Sequence, residues 1–248
     1  MLVYHHIYKN GGTTVWDRYR SNPGAWLAPG VEINSIPKQA YCFDGVDNVL
    51  EQITHCRYLQ CRIVPGVLEQ QYDNVQYAVT LRDPVDRLIS GFNFWKKINK
   101  CDIHMDTWLK FAKNCWRDLP IMSWQYEWFL RHSNVDLEFD AGIHYDKSAQ
   151  LDHMHCAIQH VLDTYSAVMF MSEPDYEAQL ADTFSDFHSV GDTVTNTTLV
   201  SDVKNYTTRA DVDMAQVEDY LEYEIKFYNR VKKRIDNKTS WCYSIRVS

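Results

Sequence analysis

The stretch LVYHHIYKNGGTTVWDRYR, residues 2–20, joins a short apolar run to a loop with two adjacent glycines and a segment with helical character. Residues 2–7 are apolar and aromatic, which is typical of a buried strand. The glycine pair predicts a tight turn, and the residues after it predict a helix. Strand, loop and helix in this order are the unit from which parallel α/β sheets are built.

The same alternation recurs along the chain. Further strands are predicted at 57–64, 75–81 and 166–171. Further helices are predicted from 84 onward, with Asp83 as N-cap and Pro84 at the first helical position, and at 147–165, 173–184 and 211–235. The last helix places five apolar side chains on one face: Val217, Leu221, Tyr228, Val231 and Ile235. We therefore predict an α/β fold: a single P-loop-like domain over residues 1–248, with a central, mainly parallel sheet flanked by helices.

Composition excludes several classes of protein. A chain of 248 residues with 45% hydrophobic residues can bury a sizeable core. Its formal charge of -8 argues against bulk binding to nucleic acid or to anionic membranes. No apolar stretch approaches the ~20 residues that span a bilayer, and the first motif leaves no room for a signal peptide. We expect a soluble, cytoplasmic protein without membrane insertion, or a Golgi-lumenal one if the chain belongs to a longer protein.

Cysteine and histidine spacing does not indicate a metal site. The seven cysteines form no CxxC pair, and most are expected to be free thiols. His153 and His155 are two residues apart in a predicted helix and therefore face different directions. No metal is predicted.

The loop after the first strand has the chemistry of an anion site. Gly11 and Gly12 let the backbone approach an anion closely, and the helix N-terminus behind them attracts negative charge. Lys9 supplies a flexible point charge, and Thr13 and Thr14 supply hydroxyl donors. A P-loop kinase normally has its lysine after the glycines, in GxxxxGK[ST]. Here the lysine precedes them.

A second candidate anion site follows the strand at 75–81. VTLRDPVDRLISGF, residues 79–92, puts Arg82 at the end of that strand and Ser90 on the next helix, with Arg87 as an alternative or helper. The carboxyl edge of an open α/β sheet is where such folds bind ligands, so the pair can converge on one phosphate there.

Together these two motifs resemble those of sulfotransferases that use 3′-phosphoadenosine 5′-phosphosulfate (PAPS). HHIYKNGGTTV, residues 5–15, is similar to their 5′-phosphosulfate loop, of the form HIPKTGGT, and residues 79–92 are similar to their 3′-phosphate motif, LRDPxxRxxS. The resemblance is nearest to the Golgi-type carbohydrate sulfotransferases of the uronyl and heparan sulfate 2-O group. It implies that Arg82 and Ser90 hold the 3′-phosphate and that a six-residue loop holds the phosphosulfate: Lys9, Asn10, Gly11, Gly12, Thr13 and Thr14.

The resemblance also implies a catalytic role for Lys9 and leaves the catalytic base open. Arg62 stands where that group has a catalytic histidine, and arginine stays protonated. His55, Glu32 and His6 are alternatives for the base, and Arg62 is a candidate for holding an acidic acceptor. The expected reaction moves a sulfuryl group from PAPS to a hydroxyl, on a glycan, without nucleic acid or metal. A P-loop-type kinase using ATP and a catalytically silent nucleotide- or glycan-binding protein are the alternatives.

Overall fold

The computed structural model describes residues 1–7, 9–12, 15, 58–61, 65–70, 72–115, 125–131, 147–185 and 203–237. Its strands are β1 (Leu2–His5), β2 (Tyr58–Cys61), β3 (Gln76–Leu81) and β4 (Tyr165–Phe170). Its helices are α1 (Pro84–Asn99), α2 (Met105–Cys115), α3 (Gln125–Arg131), α4 (Lys147–Thr164), α5 (Tyr176–Thr183), α6 (Met214–Tyr220) and α7 (Glu222–Asn237). Two short 3-10 helices cover Leu68–Gln70 and Arg209–Asp211.

The four strands form one sheet in the order β2-β1-β3-β4, and every pair is parallel. Val3 in β1 lies between Leu59 in β2 and Tyr77 in β3. The predicted α/β fold with a parallel sheet is therefore confirmed. Strand β2, the next described strand after β1, lies at one edge of the sheet beside β1. Strand β4, which follows β3, lies at the opposite edge beside β3. A parallel sheet binds ligands at such a switch point, where the connections from two neighbouring strands diverge.

Successive side chains of β1 point to opposite faces of the sheet, as in any strand, and pack into two different hydrophobic clusters. Val3 packs into a large cluster with side chains of α3, α4 and α7. Leu2 and Tyr4 point to the opposite face, where they pack with Leu180 of α5 and with Phe184. Helices thus cover both faces of the sheet, and the loops at its carboxyl edge follow well-packed strands.

The start of α1 follows the sequence closely. Asp83 is the N-cap, and its carboxylate accepts hydrogen bonds from the backbone amides of Val85 and Asp86, each at 3.0 Å. Pro84 takes the first helical position, where its missing N–H costs nothing. The predicted cap is confirmed, and it fixes where α1 begins relative to the end of β3.

Two helix predictions need correction. The helix predicted at 173–184 begins only at Tyr176, because residues 171–175 form turns and Pro174 lies in them. The helix predicted at 211–235 is broken at Leu221 into α6 and α7. The break has a packing reason: Val217 and Leu221 enter a cluster with α1 and α2, whereas Tyr228 and Val231 enter the cluster on the sheet.

No helix in the described part of the chain combines the length and the apolar character that crossing a membrane requires.

Candidate anion-binding site

The loop after β1 turns sharply into a helical segment. Gly11 has a φ of 76°, in the left-handed region that favours glycine, and Gly12 and Val15 have helical backbone. The Val15 amide donates to the Gly11 carbonyl at 3.1 Å, which is the first helical hydrogen bond. At Gly12 a Cβ atom would lie 1.9 Å from Cδ2 of His6, so a side chain does not fit there. The glycine pair therefore lets the loop close on its own strand.

Lys9 is held in an unfavourable electrostatic position. Its backbone φ of 65° is also left-handed, which is uncommon outside glycine. Its ammonium group lies 4.1 Å from the centre of the Phe94 ring on α1. Burial, followed by repulsion from Arg82, Lys97 and Arg87, lowers the pKa of Lys9 to about 8. A bound anion would offset both effects.

Arg82 joins the two candidate anion motifs directly. Its guanidinium Nη1 donates to the backbone carbonyl of Lys9 at 3.1 Å. Arg82 lies one residue beyond β3, next to β1 in the sheet, so the two loops meet at the switch point. Burial also lowers the pKa of Arg82, although Asp86, Tyr206 and Asp83 act in the opposite direction. The structure thus brings Lys9 and Arg82 together, as the predicted site requires.

One face of α1 lies toward Lys9. Phe94 contacts the lysine, and Arg87 and Lys97 are close enough to shift its pKa. Ser90 is half-buried and lies four residues before Phe94, on the same helical face. Arg87 is only 5% exposed, and burial lowers its pKa while Glu224 raises it. Four cations therefore gather at this edge of a protein whose formal charge is -8.

Acidic side chains offset part of this charge: Asp86 and Asp83 raise the pKa of Arg82, and Glu224 raises that of Arg87. Arg209, which follows the 203–208 segment, pairs with Asp83 at 3.4 Å and with Asp86 at 3.2 Å at the start of α1. Glu224 of α7 is 1% exposed, and burial raises its pKa against the effect of Arg87. These carboxylates therefore neutralise part of the positive charge of the four cations.

Two lysines that follow Ser90 on α1, Lys96 and Lys97, differ in exposure. Lys96 is buried, and its ammonium donates to the Asn205 carbonyl at 2.8 Å and lies 3.8 Å from Asp102. Lys204 also pairs with Asp102, at 3.1 Å. Lys96 therefore ties the 203–208 segment to α1, and Lys97 is the exposed member near Lys9.

Gln125, the first residue of α3, connects both loops and was missed by the sequence analysis. Its side-chain oxygen accepts from Nδ2 of Asn10 at 2.6 Å and from the backbone amide of Arg82 at 3.0 Å. Its side-chain amide donates to the Arg82 carbonyl at 2.9 Å. Its own backbone amide donates to Glu224 at 2.7 Å. Asn10 completes the link by donating to the Thr80 carbonyl at 2.8 Å.

Gln125 and Glu224, both missed by the sequence analysis, are polar residues at positions that the sequence pattern assigns to the core. Gln125 is an uncharged polar residue within the aromatic run SWQYEWFL, residues 123–130, which the aromatic content marks as core. Glu224 lies three residues after Leu221 and four before Tyr228, so it falls on the apolar face of its helix. A polar residue at a core position needs a buried partner, and that rule points to both.

Five of the predicted site residues lie outside the described part of the chain: Thr13, Thr14, Glu32, His55 and Arg62. Their assignments to the phosphosulfate loop, the catalytic base and the acceptor site stay predictions. His6, the third candidate base, is buried, with its ring against Gly12. Within the described segments, no three His, Cys, Asp or Glu side chains are grouped as a metal ion would require.

A comparison with models of known protein families and with curated proteins gives no match for this chain.

Proposed function

We propose that this chain is a PAPS-dependent sulfotransferase that transfers a sulfuryl group to a hydroxyl, on a glycan. The observation that carries the proposal is the meeting of Lys9 and Arg82 at the β1/β3 switch point, where the Arg82 guanidinium donates to the Lys9 carbonyl. A nucleotide with phosphates at its 5′ and 3′ positions needs two anion sites a short distance apart. The loop after β1 and the start of α1 supply two such groups of cations.

The residues present fit the donor. Gly11 takes the left-handed backbone that the turn after β1 requires, and burial and neighbouring cations lower the pKa of Lys9 to about 8, so a bound anion would stabilise its charge. On the second motif, Arg82 and the half-buried Ser90 of α1 would hold the 3′-phosphate. The four cations in this cluster suit a ligand with several negative charges.

In the proposed reaction the acceptor oxygen attacks the sulfur atom, and the bond from sulfur to the 5′-phosphate oxygen breaks. The electron pair of that bond leaves with the phosphate, and the hydroxyl proton passes to a base for which His55 and Glu32 stay candidates. Negative charge grows on the leaving oxygen, as in phosphoryl transfer. Lys9 and the loop amides would stabilise it, so positioning and electrostatics carry most of the catalysis.

The order of residues in the loop favours this function over a kinase. In a Walker-type loop the lysine follows the glycines and is succeeded by a Ser or Thr that binds magnesium. Here Lys9 precedes Gly11 and Gly12, and its ammonium group lies over the Phe94 ring of α1.

Calorimetric titration separates the two nucleotides. We expect the full chain to bind 3′-phosphoadenosine 5′-phosphate (PAP) more tightly than ATP with Mg²⁺. Only PAP carries a 3′-phosphate for Arg82 in addition to the 5′-phosphate for Lys9. Tighter binding of ATP with Mg²⁺ would favour the kinase.

Turnover separates an enzyme from a silent binder. With labelled PAPS and a panel of glycans and small alcohols, we expect sulfate transfer that drops by about 10²–10³-fold in Lys9→Ala, the usual effect of removing one donor to a developing oxyanion. Lys233→Ala changes an exposed lysine of α7 and is the matched control. An unchanged rate in Lys9→Ala would contradict the proposal, and PAP binding without transfer to any acceptor would indicate a silent binder.

A further inference from the structure

Gln125 occupies a buried position between the two anion motifs. It is 0% exposed, and its side chain makes three hydrogen bonds, one to Asn10 in the loop after β1 and two to the backbone of Arg82 after β3. Both Oε1 and Nε2 are therefore used. All three bonds go to these two loops, so we expect Gln125 to affect binding through them.

The backbone of Gln125 is fixed independently of the loops. The Glu224 carboxylate of α7 accepts from the amide of Gln125 at 2.7 Å and from the amide of Tyr126 at 3.4 Å. Glu224 is 1% exposed and is also near the buried Arg87. Two backbone amides thus donate to one carboxyl group, which fixes the start of α3, and from there the Gln125 side chain reaches both loops.

We propose that Gln125 is a positioning residue, which holds Asn10 and Arg82 at the spacing that lets the two anion motifs grip one nucleotide. This inference rests on the proposed function for the identity of the nucleotide. The spacing of the two loops does not depend on the proposed function, since the three hydrogen bonds join the loops whether or not PAP is the ligand. Loss of the link would let Arg82 move away from Lys9 and leave each motif to bind a phosphate alone.

The test removes the hydrogen bonds and keeps the side-chain volume. Gln125→Met is close in size and has no amide, and loss of its bonds is expected to weaken PAP binding about 10- to 100-fold in calorimetry. Gln179→Met is the matched control, because Gln179 of α5 accepts from the Phe170 amide at 2.8 Å at the end of the neighbouring strand β4. We expect the control to bind PAP as the unmodified chain does.

A second measurement needs no nucleotide. The rate at which an amine-reactive reagent labels Lys9, followed by mass spectrometry over pH, reports the pKa of Lys9, which is about 8 with the motifs held together. In Gln125→Met the pKa is expected to rise toward its ordinary value of 10.5, since water reaches Lys9 and Arg82 moves off. A shift in Gln125→Met, with no PAP binding by the unmodified chain, would overturn the proposed function and leave the positioning role intact. Unchanged labelling and unchanged PAP affinity in Gln125→Met would overturn the positioning role alone.

Gln125→Glu keeps the length and polarity of the side chain and decides the matter if the methionine variant does not fold. A protonated carboxyl can donate to the Arg82 carbonyl as the amide does, whereas an ionised one cannot. Burial beside Glu224 raises the pKa of the introduced carboxyl. We expect PAP affinity in this variant to fall as the pH rises through that pKa, over an interval in which the unmodified chain changes less. A profile parallel to that of the unmodified chain would contradict the proposal.

Discussion

At the scale of single residues, Lys9 shows how a site can be built at the expense of stability. The ammonium group is partly buried near three other cations and over the Phe94 ring. A charge in such a position favours the unfolded chain, where water surrounds it. The anion that we propose it binds would offset this cost, and perturbed pKa values of this kind are common at functional sites.

Lys9→Met is therefore expected to stabilise the free protein while it removes PAP binding. The pKa of Lys9 falls from 10.5 in the unfolded chain to about 8 in the folded one. Each pKa unit corresponds to about 1.4 kcal/mol, so the gain at neutral pH is on the order of 3 kcal/mol.

The sign of the pH dependence follows from the same two values. Between about 8 and 10.5 the unfolded chain binds more protons at Lys9, so the stability of the unmodified protein rises with pH there. The advantage of Lys9→Met is full below pH 8 and shrinks toward 10.5. Urea unfolding near neutral pH and in the alkaline range measures it, with Lys233→Met as the control. An advantage that stays constant across this range would contradict the explanation.

At the scale of elements, the loop after β1 is packed against its own strand. His6 is 6% exposed, and its ring occupies the space beside Gly12 where a Cβ atom would lie. The Gly12 carbonyl accepts from the buried side-chain amide of Gln60 in β2 at 2.9 Å. This packing leaves no space for a side chain at position 12.

Gly12→Ala is expected to lower the free energy of unfolding by about 1–3 kcal/mol or more, because overpacking forces the His6 ring or the loop to move. His6→Ala removes the ring that the new Cβ atom would meet. In the double variant the cost of Gly12→Ala should be smaller than in the unmodified chain, and chemical denaturation of all four proteins gives the coupling energy. Additive costs would show that the ring is not what excludes a side chain.

At the scale of the whole molecule, the cation cluster is local in an acidic chain. Ligand binding to the folded state alone stabilises it by about 2.7 kcal/mol at a hundred times Kd. For a chain of 150–250 residues this corresponds to roughly 5–10 °C in Tm. We expect PAP at that excess to raise the Tm by this amount, as measured by calorimetry, and adenosine, which lacks both phosphates, to leave it unchanged. An equal shift with adenosine would show that the anion motifs do not drive binding.

The sequence predicted the fold well because its determinants are local. Strand β3 and helix α1, with the Asp83 cap and Pro84, follow from adjacent residues and appear as predicted. The break at Leu221 could not be predicted in this way, since the apolar pattern continues across it. The apolar residues before and after the break pack into two different hydrophobic clusters, and only the tertiary structure shows which residue belongs to which cluster.

By itself, the sequence determined an α/β chain and indicated two candidate anion-binding turns, because glycine, proline and charge patterns act within a few residues of one another. Tertiary structure decided that the turns are neighbours at the switch point, that Arg82 donates to the Lys9 carbonyl, and that Gln125 joins them. These contacts link residues 73 and 115 positions apart in the chain. Contacts at such separation depend on strand order and helix packing, which no local pattern encodes.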